Sequence, residues 1–424
     1  MNNAGSDGRI VSVNGRDYAW PKVTTVVICI DGSEPAYIER AIADGLMPNM
    51  AGILERGVYL KAASAMPSFT NPNNLSIVTG CPPAVHGIAG NYLLDPETAE
   101  KVMMNDPKFL RAPTIFPAFQ KAGAKIAVVT AKDKLRRLLG HGLVIADGRD
   151  GGAICFSSEK ADEATLTENG IENLLELVGQ PLPDVYSAEL SGFVMAAGVK
   201  IAKQQKPDLM YLSTTDYIQH KFEPGSDGAN TFYTMMDGYI GALDALGCTL
   251  VMVADHGMNA KHKADGTPDV IYLQDVLDDW LGEGLAEVIC PITDPYVVHH
   301  GALGSFVTAY LPKEADATAI VDRLRAIDGI DTVQVRAEAA VSMELPPDRI
   351  GDIVVTSTRH VVIGAAEAAH DLSGLDAPLR SHGGFTEQTV PFMVNRPTID
   401  LDNNRKLRNF DAFDVALNHV QVRD

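Results

Sequence analysis

Three aspartates and three histidines carry the first chemical signal in the chain, because each falls at or near the end of a short apolar run. Asp31 follows residues 26–30. Asp216 and, four residues on, His220 stand in TTDYIQH after residues 209–212. Asp255 and His256 follow residues 250–253 and precede Gly257, and His382 stands between Ser381 and Gly383. Taken singly, such residues are ordinary: an aspartate after a strand often caps a helix, and a histidine is often a hydrogen-bonded core residue. As a set they have the number and kind of donors for two zinc-type ions with three protein ligands each. Positions would then remain open for substrate and water, as in catalytic rather than structural sites. Asp and His suit manganese and iron as well as zinc, so the metal is not fixed by the donors alone.

The elements that must position these groups read as an α/β core. Runs rich in Val, Ile and Leu at 26–30, 126–129, 209–212 and 250–253 end abruptly in polar residues, as buried parallel strands do. Between them lie helical patterns such as 231–246, with Phe232, Met235, Met236, Ile240, Leu243 and Leu246 near a 3.6-residue period. Alternation of this kind predicts a largely parallel sheet with helices on both faces, and ligands at the C-terminal ends of its strands. If a helix starts at Asp216, that residue and His220 share one face. The texture changes near Gly304. A strand at 305–311, a helix at 315–327 and strands at 332–335 and 352–363 make a small α+β cap. The expected division is a core over 22–290, an inserted cap over 291–366, and a return to the core over 367–424.

In order along the chain, Asp31, PSFTNPNN with Thr70, the PxxHGIxxN segment over 83–91, Asp216 with His220, Asp255 with His256, and His382 resemble the alkaline phosphatase superfamily in its nucleotide pyrophosphatase-like branch. These motifs span about residues 25 to 390, nearly the whole chain. The resemblance implies an alkaline phosphatase-like core and two metal ions, one held by Asp216, His220 and His382, the other by Asp31, Asp255 and His256. It also implies Thr70 as nucleophile facing the second ion, and Asn91 as a donor to a phosphoryl oxygen. Two divalent ions roughly 4 Å apart can hold the attacking and leaving oxygens of an in-line displacement at phosphorus. A threonine hydroxyl, poor at its own pKa, becomes a nucleophile beside such an ion. A helix predicted at 73–78 would add N-terminal amides that favour an anion. Four metal charges against three carboxylates and an alkoxide leave the site neutral before a phosphoryl dianion enters. Ser68 is the rival nucleophile, or a turn hydroxyl after Pro67. Asn91 could also be a loop cap, His86 reads as structural, and His299 and His300 as solvent-facing or lid residues.

Substrate choice rests elsewhere. Lys132 and Lys134, in VTAKDKLRRLLG, follow the apolar run ending at Val129. In an extended segment residues i and i+2 point the same way, so both could reach one ligand. They could equally begin a solvated basic helix with Arg136 and Arg137. The segment resembles the lysine pair with which phosphonoacetate hydrolases hold the substrate carboxylate, and NDPKFLRAPTIF over 105–116 has the same look. Breaking a carbon–phosphorus bond expels a carbanion equivalent, which needs a neighbouring carbonyl to take its charge. In phosphonoacetate the carboxylate does so, and two ammonium groups would stabilise charge that grows in the transition state. The expected products are acetate and phosphate, by way of a phosphothreonine that water hydrolyses.

The same metal motifs would serve a nucleotide pyrophosphatase or phosphodiesterase, given a base slot near Phe69 or Tyr92. A different class altogether, a catalytically silent metal-binding or interaction protein on this scaffold, would be told apart by metal analysis with one turnover assay. A cofactor-independent phosphoglycerate mutase fits less well, since its nucleophile is a serine and its inserted domain is larger. Groups near Arg336 or His299 could add cap contacts to substrate. With 35 Lys plus Arg against 55 Asp plus Glu, the net charge of −20 argues against nucleic acid and anionic membrane partners. Five scattered cysteines with no CxxC pair, no membrane-length apolar run and no signal-like start lead us to expect a cytoplasmic protein acting on a small anionic phosphonate. A homodimer is compatible with this reading without being specified by it.

Overall fold

The computed structural model describes residues 8–145, 152–294, 301–402 and 404–422, so His299 and His300 lie outside the described residues. Among these the largest sheet has seven strands. Across it run Val58–Ala63, Thr389–Val394, Thr249–Val253, Thr25–Cys29, Leu209–Ser213, Ile126–Thr130 and Ile154–Ser157. The last five pair in parallel, and Thr389–Val394 runs antiparallel to both of its neighbours. The expected α/β class with a largely parallel sheet is what the chain forms.

Because side chains alternate along a strand, each buried strand feeds two cores. Val27 and Cys29 face one side with Leu75, Phe116 and Phe413, covered by helices Thr70–Thr79, Ile115–Lys121, Asp133–Leu139 and Ala412–Asn418. Val26 and Ile28 face the other with Phe193, Phe232 and Ile240, under Pro35–Ala43, Ala188–Gln204 and Asp227–Ala245. Double coverage explains why these strands read as unbroken apolar runs.

A second, antiparallel sheet has the order Glu287–Ile289, Phe306–Tyr310, Ile353–Ser357, Ile330–Val335. Helices Leu273–Leu281 and Ala317–Arg325 share its apolar cluster. Its edge strand and one of its helices therefore come from residues ahead of 291. The run at 352–363, read as one strand, is broken: Ile353–Ser357 ends in a turn closed by Val361 N–H to Thr358 O, and Val362–Gly364 pairs in parallel with Val270–Tyr272. No helix among the described residues is long and apolar enough to cross a membrane.

Two glycines let the strand ends converge. Gly32 has φ +68°, and a Cβ there would lie 2.9 Å from Asp216 Cβ. Gly383 has φ +127°, and a Cβ there would lie 2.4 Å from Phe69 Cε1. The Phe69 ring is itself fully buried against Phe306 and His382 and has no room to retreat. Gly383→Ala should therefore cost about 1–3 kcal/mol of stability, read as a lower urea midpoint. An unchanged midpoint would contradict this packing.

Candidate active site

Strand order brings the six predicted ligands together. Thr249–Val253, Thr25–Cys29 and Leu209–Ser213 are parallel neighbours, so Asp255–His256, Asp31 and Asp216 emerge side by side at their C-terminal ends. Asp216 is the N-cap of Tyr217–Lys221, which places His220 one turn on, with Nε2 3.0 Å from Asp216 Oδ2. His382 is brought in by a separate two-stranded pairing, in which Arg380–Ser381 runs antiparallel to Asn259–Ala260 in the segment after His256. Its Nε2 lies 3.6 Å from the same Asp216 oxygen.

Two groups of ligand type result. Asp216, His220 and His382 form one; Asp31, Asp216 and His256 form the other, each with its ligand atoms within 4.8 Å of one another. Asp216 thus reaches both groups, whereas the sequence reading had Asp255 in the second. Asp255 Oδ2 is 3.7 Å from His256 Nε2. Its two oxygens accept from the backbone N–H of Gly32 and His256 and from the Asn74 side-chain amide.

The imidazoles share one arrangement. Nδ1–H donates to a backbone carbonyl in each: Arg380 for His220, Gly257 for His256 and Ser68 for His382, all at 2.8 Å. A carbonyl only accepts, so the proton sits on Nδ1 and the Nε2 lone pair faces the site, as a metal-ligating histidine requires. Burial, followed by the neighbouring Asp255 and Asp216, pushes Asp31 well above the usual carboxylate range. Burial raises Asp255 as well. For Asp216 burial acts in the same direction, but His220, His382 and His256 outweigh it and hold the group well below its ordinary value. Burial and the adjacent His256 hold His382 well below the ordinary imidazole value. Asp31 Oδ1 is buried with no hydrogen-bond donor and faces His256 Nε2 at 3.2 Å. Three crowded carboxylates, inward lone pairs and an orphaned carboxylate oxygen fit divalent cations as the missing positive charge.

Thr70 is the first residue of Thr70–Thr79, earlier than the predicted start at 73, and its Oγ1 lies 3.3 Å from His256 Nε2. Ser68 is fully buried and donates to Gly384 O at 2.6 Å, which removes it from the site as a hydroxyl. The Asn91 side-chain oxygen accepts from Asn71 N–H at 3.4 Å. His86 hydrogen-bonds Ser76 Oγ at 2.9 Å, and burial pushes it down to about 3, so it is a neutral structural imidazole.

A cavity of about 550 Å³ is lined by Asp31, Thr70, Asn91, Asp216, His220 and His382 together with Lys132 and Lys134. Of the two arrangements expected for the lysines, the chain forms the helix start. Lys132 is extended and caps helix Asp133–Leu139, and Lys134 already lies in its first turn. Burial lowers the Lys132 ammonium below the usual lysine value, against the pull of Glu159, Asp216 and Asp294. Its Nζ stands 5.5 Å from the centre of the Tyr186 ring, and Lys134 Nζ pairs with both Asp294 oxygens at 2.9 and 3.2 Å. Arg336, by contrast, pairs with Asp352 and does not line this cavity.

Sequence reasoning missed several partners. Asn74 bridges Asp255 to the Tyr211 and Ser213 hydroxyls, both 2.7 Å from its oxygen. Its position one helical turn after Thr70 was a usable signal. Thr214 Oγ1 accepts from Asp31 N–H at 3.0 Å, while Asp294, Glu159 and Tyr186 sit in segments without a motif.

The sequence model of the type I phosphodiesterase / nucleotide pyrophosphatase family matches residues 25–384. An uncharacterised pyrophosphatase/phosphodiesterase of Schizosaccharomyces pombe is 26% identical over 246 residues, which cover 55% of this chain and 44% of that protein. Human ectonucleotide pyrophosphatase/phosphodiesterase family member 1 is 25% identical over 273 residues, 60% of this chain and 25% of the relative. The chain thus spans less than half the length of these curated relatives. Among solved structures, phosphonoacetate hydrolase from Sinorhizobium meliloti 1021, in complexes with phosphonoacetate and with phosphonoformate, is 61% identical with a TM-score of 0.93, over 97% of this chain and 99% of that one. Murine ectonucleotide pyrophosphatase / phosphodiesterase 5 shares the fold at 18% identity and a TM-score of 0.62, over 94% of this chain and 96% of that one. A match across residues 25–384 places this chain in the type I phosphodiesterase / nucleotide pyrophosphatase family.

Proposed function

We propose that this chain is a two-zinc hydrolase that cleaves the carbon–phosphorus bond of phosphonoacetate to acetate and phosphate through a phosphothreonine at Thr70. One observation carries the reading: Lys132 and Lys134 open onto the cavity that holds Thr70 and four residues of the ligand set, Asp31, Asp216, His220 and His382. The likeness to a phosphonoacetate hydrolase supports it across nearly the whole chain. Asp216, His220 and His382 would hold one ion, and Asp31, Asp255 and His256 the other. Bound there, two divalent ions would make the threonine alkoxide accessible and offset charge on the phosphoryl oxygens.

The chain's own groups account for the rest. Thr70 Oγ1 attacks phosphorus from the N-terminus of its helix, where the backbone amides favour the phosphoryl anion. Asn91, its carbonyl oxygen occupied by Asn71, keeps its NH₂ as donor to a phosphoryl oxygen. As the oxygen–phosphorus bond forms, the carbon–phosphorus bond breaks. Its electron pair passes into the carboxylate, giving a dianionic enolate beside the two ammonium groups. Protonation at carbon gives acetate, and water then cleaves the phosphothreonine.

A nucleotide phosphodiesterase would need a base slot, and the aromatic residues suggested by sequence do not supply one. Phe69 is sealed in the core and Tyr92 does not line the cavity. All five cysteines are buried and unpaired, which suits a reducing compartment and supports a cytoplasmic placement.

Assayed side by side, phosphonoacetate should be turned over far faster than a nucleoside phosphodiester or a simple phosphomonoester. Faster phosphodiester cleavage would overturn the substrate assignment. Lys132→Ala should lower kcat/KM for phosphonoacetate by about 10²–10³-fold and for an activated aryl phosphate by only a few-fold. Thr70→Ala should abolish turnover while metal analysis still finds two zinc ions per chain; lost zinc would make the residue structural. Because burial lowers the Lys132 pKa, its charge disappears at a lower pH than for a free lysine. The kcat/KM for phosphonoacetate should therefore decline on the alkaline side, with an apparent pKa below that of free lysine, and Lys132→Arg should remove that decline.

A further inference from the structure

Lys261 and Glu387 form an ion pair at 2.9 Å in which both side chains are wholly inaccessible. Neither lines the cavity, and neither belongs to a motif noted above. Their surroundings are nevertheless specific. Glu387 Oε1 accepts from Lys261 Nζ, from the Asn259 side-chain amide at 2.6 Å and from Thr386 Oγ1 at 2.5 Å; Oε2 accepts from Gly384 N–H at 3.0 Å. The Glu387 main-chain carbonyl accepts from Gly257 N–H at 2.7 Å. A single residue thus binds the segment that follows His256 to the segment that follows His382. The two imidazoles so joined lie face to face, with ring centroids 3.6 Å apart and planes 5° from parallel.

A buried ion pair adds little stability over apolar residues of similar volume, since desolvation offsets most of the attraction. What it supplies is a fixed geometry, because a buried carboxylate tolerates no missing donor and a buried ammonium no missing acceptor. Here the fixed quantity is the relation between two loops, each delivering one imidazole to a different ligand group.

We infer that Glu387, clamped by Lys261, is a positioning residue that sets the spacing of the His256 and His382 ligand groups. It acts through the loops and touches no reacting atom. The inference rests on the metal reading proposed above.

Zinc affinity of the purified full chain, measured by competition with a chromophoric chelator, tests it. Glu387→Gln should weaken zinc binding by about 10–100-fold, the range expected when a partner of a ligating residue is removed. The paired change Lys261→Met with Glu387→Leu leaves no buried charge unpaired and should still fold as metal-free protein, with a lower midpoint because the Asn259, Thr386 and Gly384 donors lose their acceptor, and show the same weakening. Apolar residues restore packing without restoring the hydrogen bonds. Should Glu387→Gln fail to fold, the paired variant decides. Wild-type zinc affinity in either folded variant would overturn the inference. Absence of zinc binding by the unaltered protein would instead remove the metal reading, and the inference with it.

Discussion

Three carboxylates crowded into one place, two of them buried and Asp216 half-buried, are the constraint around which this structure is organised. Asp31, Asp216 and Asp255 stand at the ends of three adjacent parallel strands. Burial, followed by the neighbouring carboxylates, drives Asp31 upward, and burial raises Asp255 as well. Much of the local architecture answers that pressure. Backbone amides of Gly32 and His256 and the Asn74 amide surround Asp255, and every site imidazole is fixed with its lone pair inward. The arrangement is frustrated as a protein core and consistent as a cation cage.

Position in the sheet makes the crowding inevitable. A parallel strand delivers the residue after its last pairing at the same edge as its neighbour's, so three neighbours deliver three aspartates to one line. The helix beginning at Thr70 is added from one core, and the His382 loop from the short pairing of Arg380–Ser381 with Asn259–Ala260. Phe69, wedged between Phe306 and His382, links these two arrivals. Rearrangement of the second sheet would therefore be felt at the ligand set, although its strands contribute no ligand.

How much of this could be read from residues alone follows from what each feature depends on. The doubly buried strands and the residues at their ends depend on local pattern, and the structure places Asp31, Asp216, His220, Asp255, His256 and His382 together as the pattern anticipated. Two features depend on more than local pattern. The residues alone allowed Lys132 and Lys134 either an extended segment or a helix start; the chain turns helical at Asp133, whose carboxylate pairs with Arg136 three residues on. Asp216 lies within reach of both groups of ligand type, because the closeness allowed by Gly32 is a tertiary property. Asp294 and Glu387 were invisible for the same reason: their partners are 160 and 126 residues away.

The charge pattern around the lysines also bears on why a phosphonate would be discriminated at all. Lys134 is already paired with Asp294, and Lys132 sits in the field of Glu159 and Asp294 as well as against the Tyr186 ring. Two ammonium groups facing two carboxylates are close to neutral overall, so a resting carboxylate gains little by entering. An enolate dianion carries one more negative charge on the same atoms, and that increment is met by cations already oriented. On the proposed reading, the acidic partners weaken the hold on each unit of negative charge, and the enolate is favoured over a resting carboxylate because it carries two. Stabilisation that grows along the reaction coordinate raises turnover rather than affinity. A pocket with the same lysines and no acidic partners would hold its acetate product more tightly and release it more slowly.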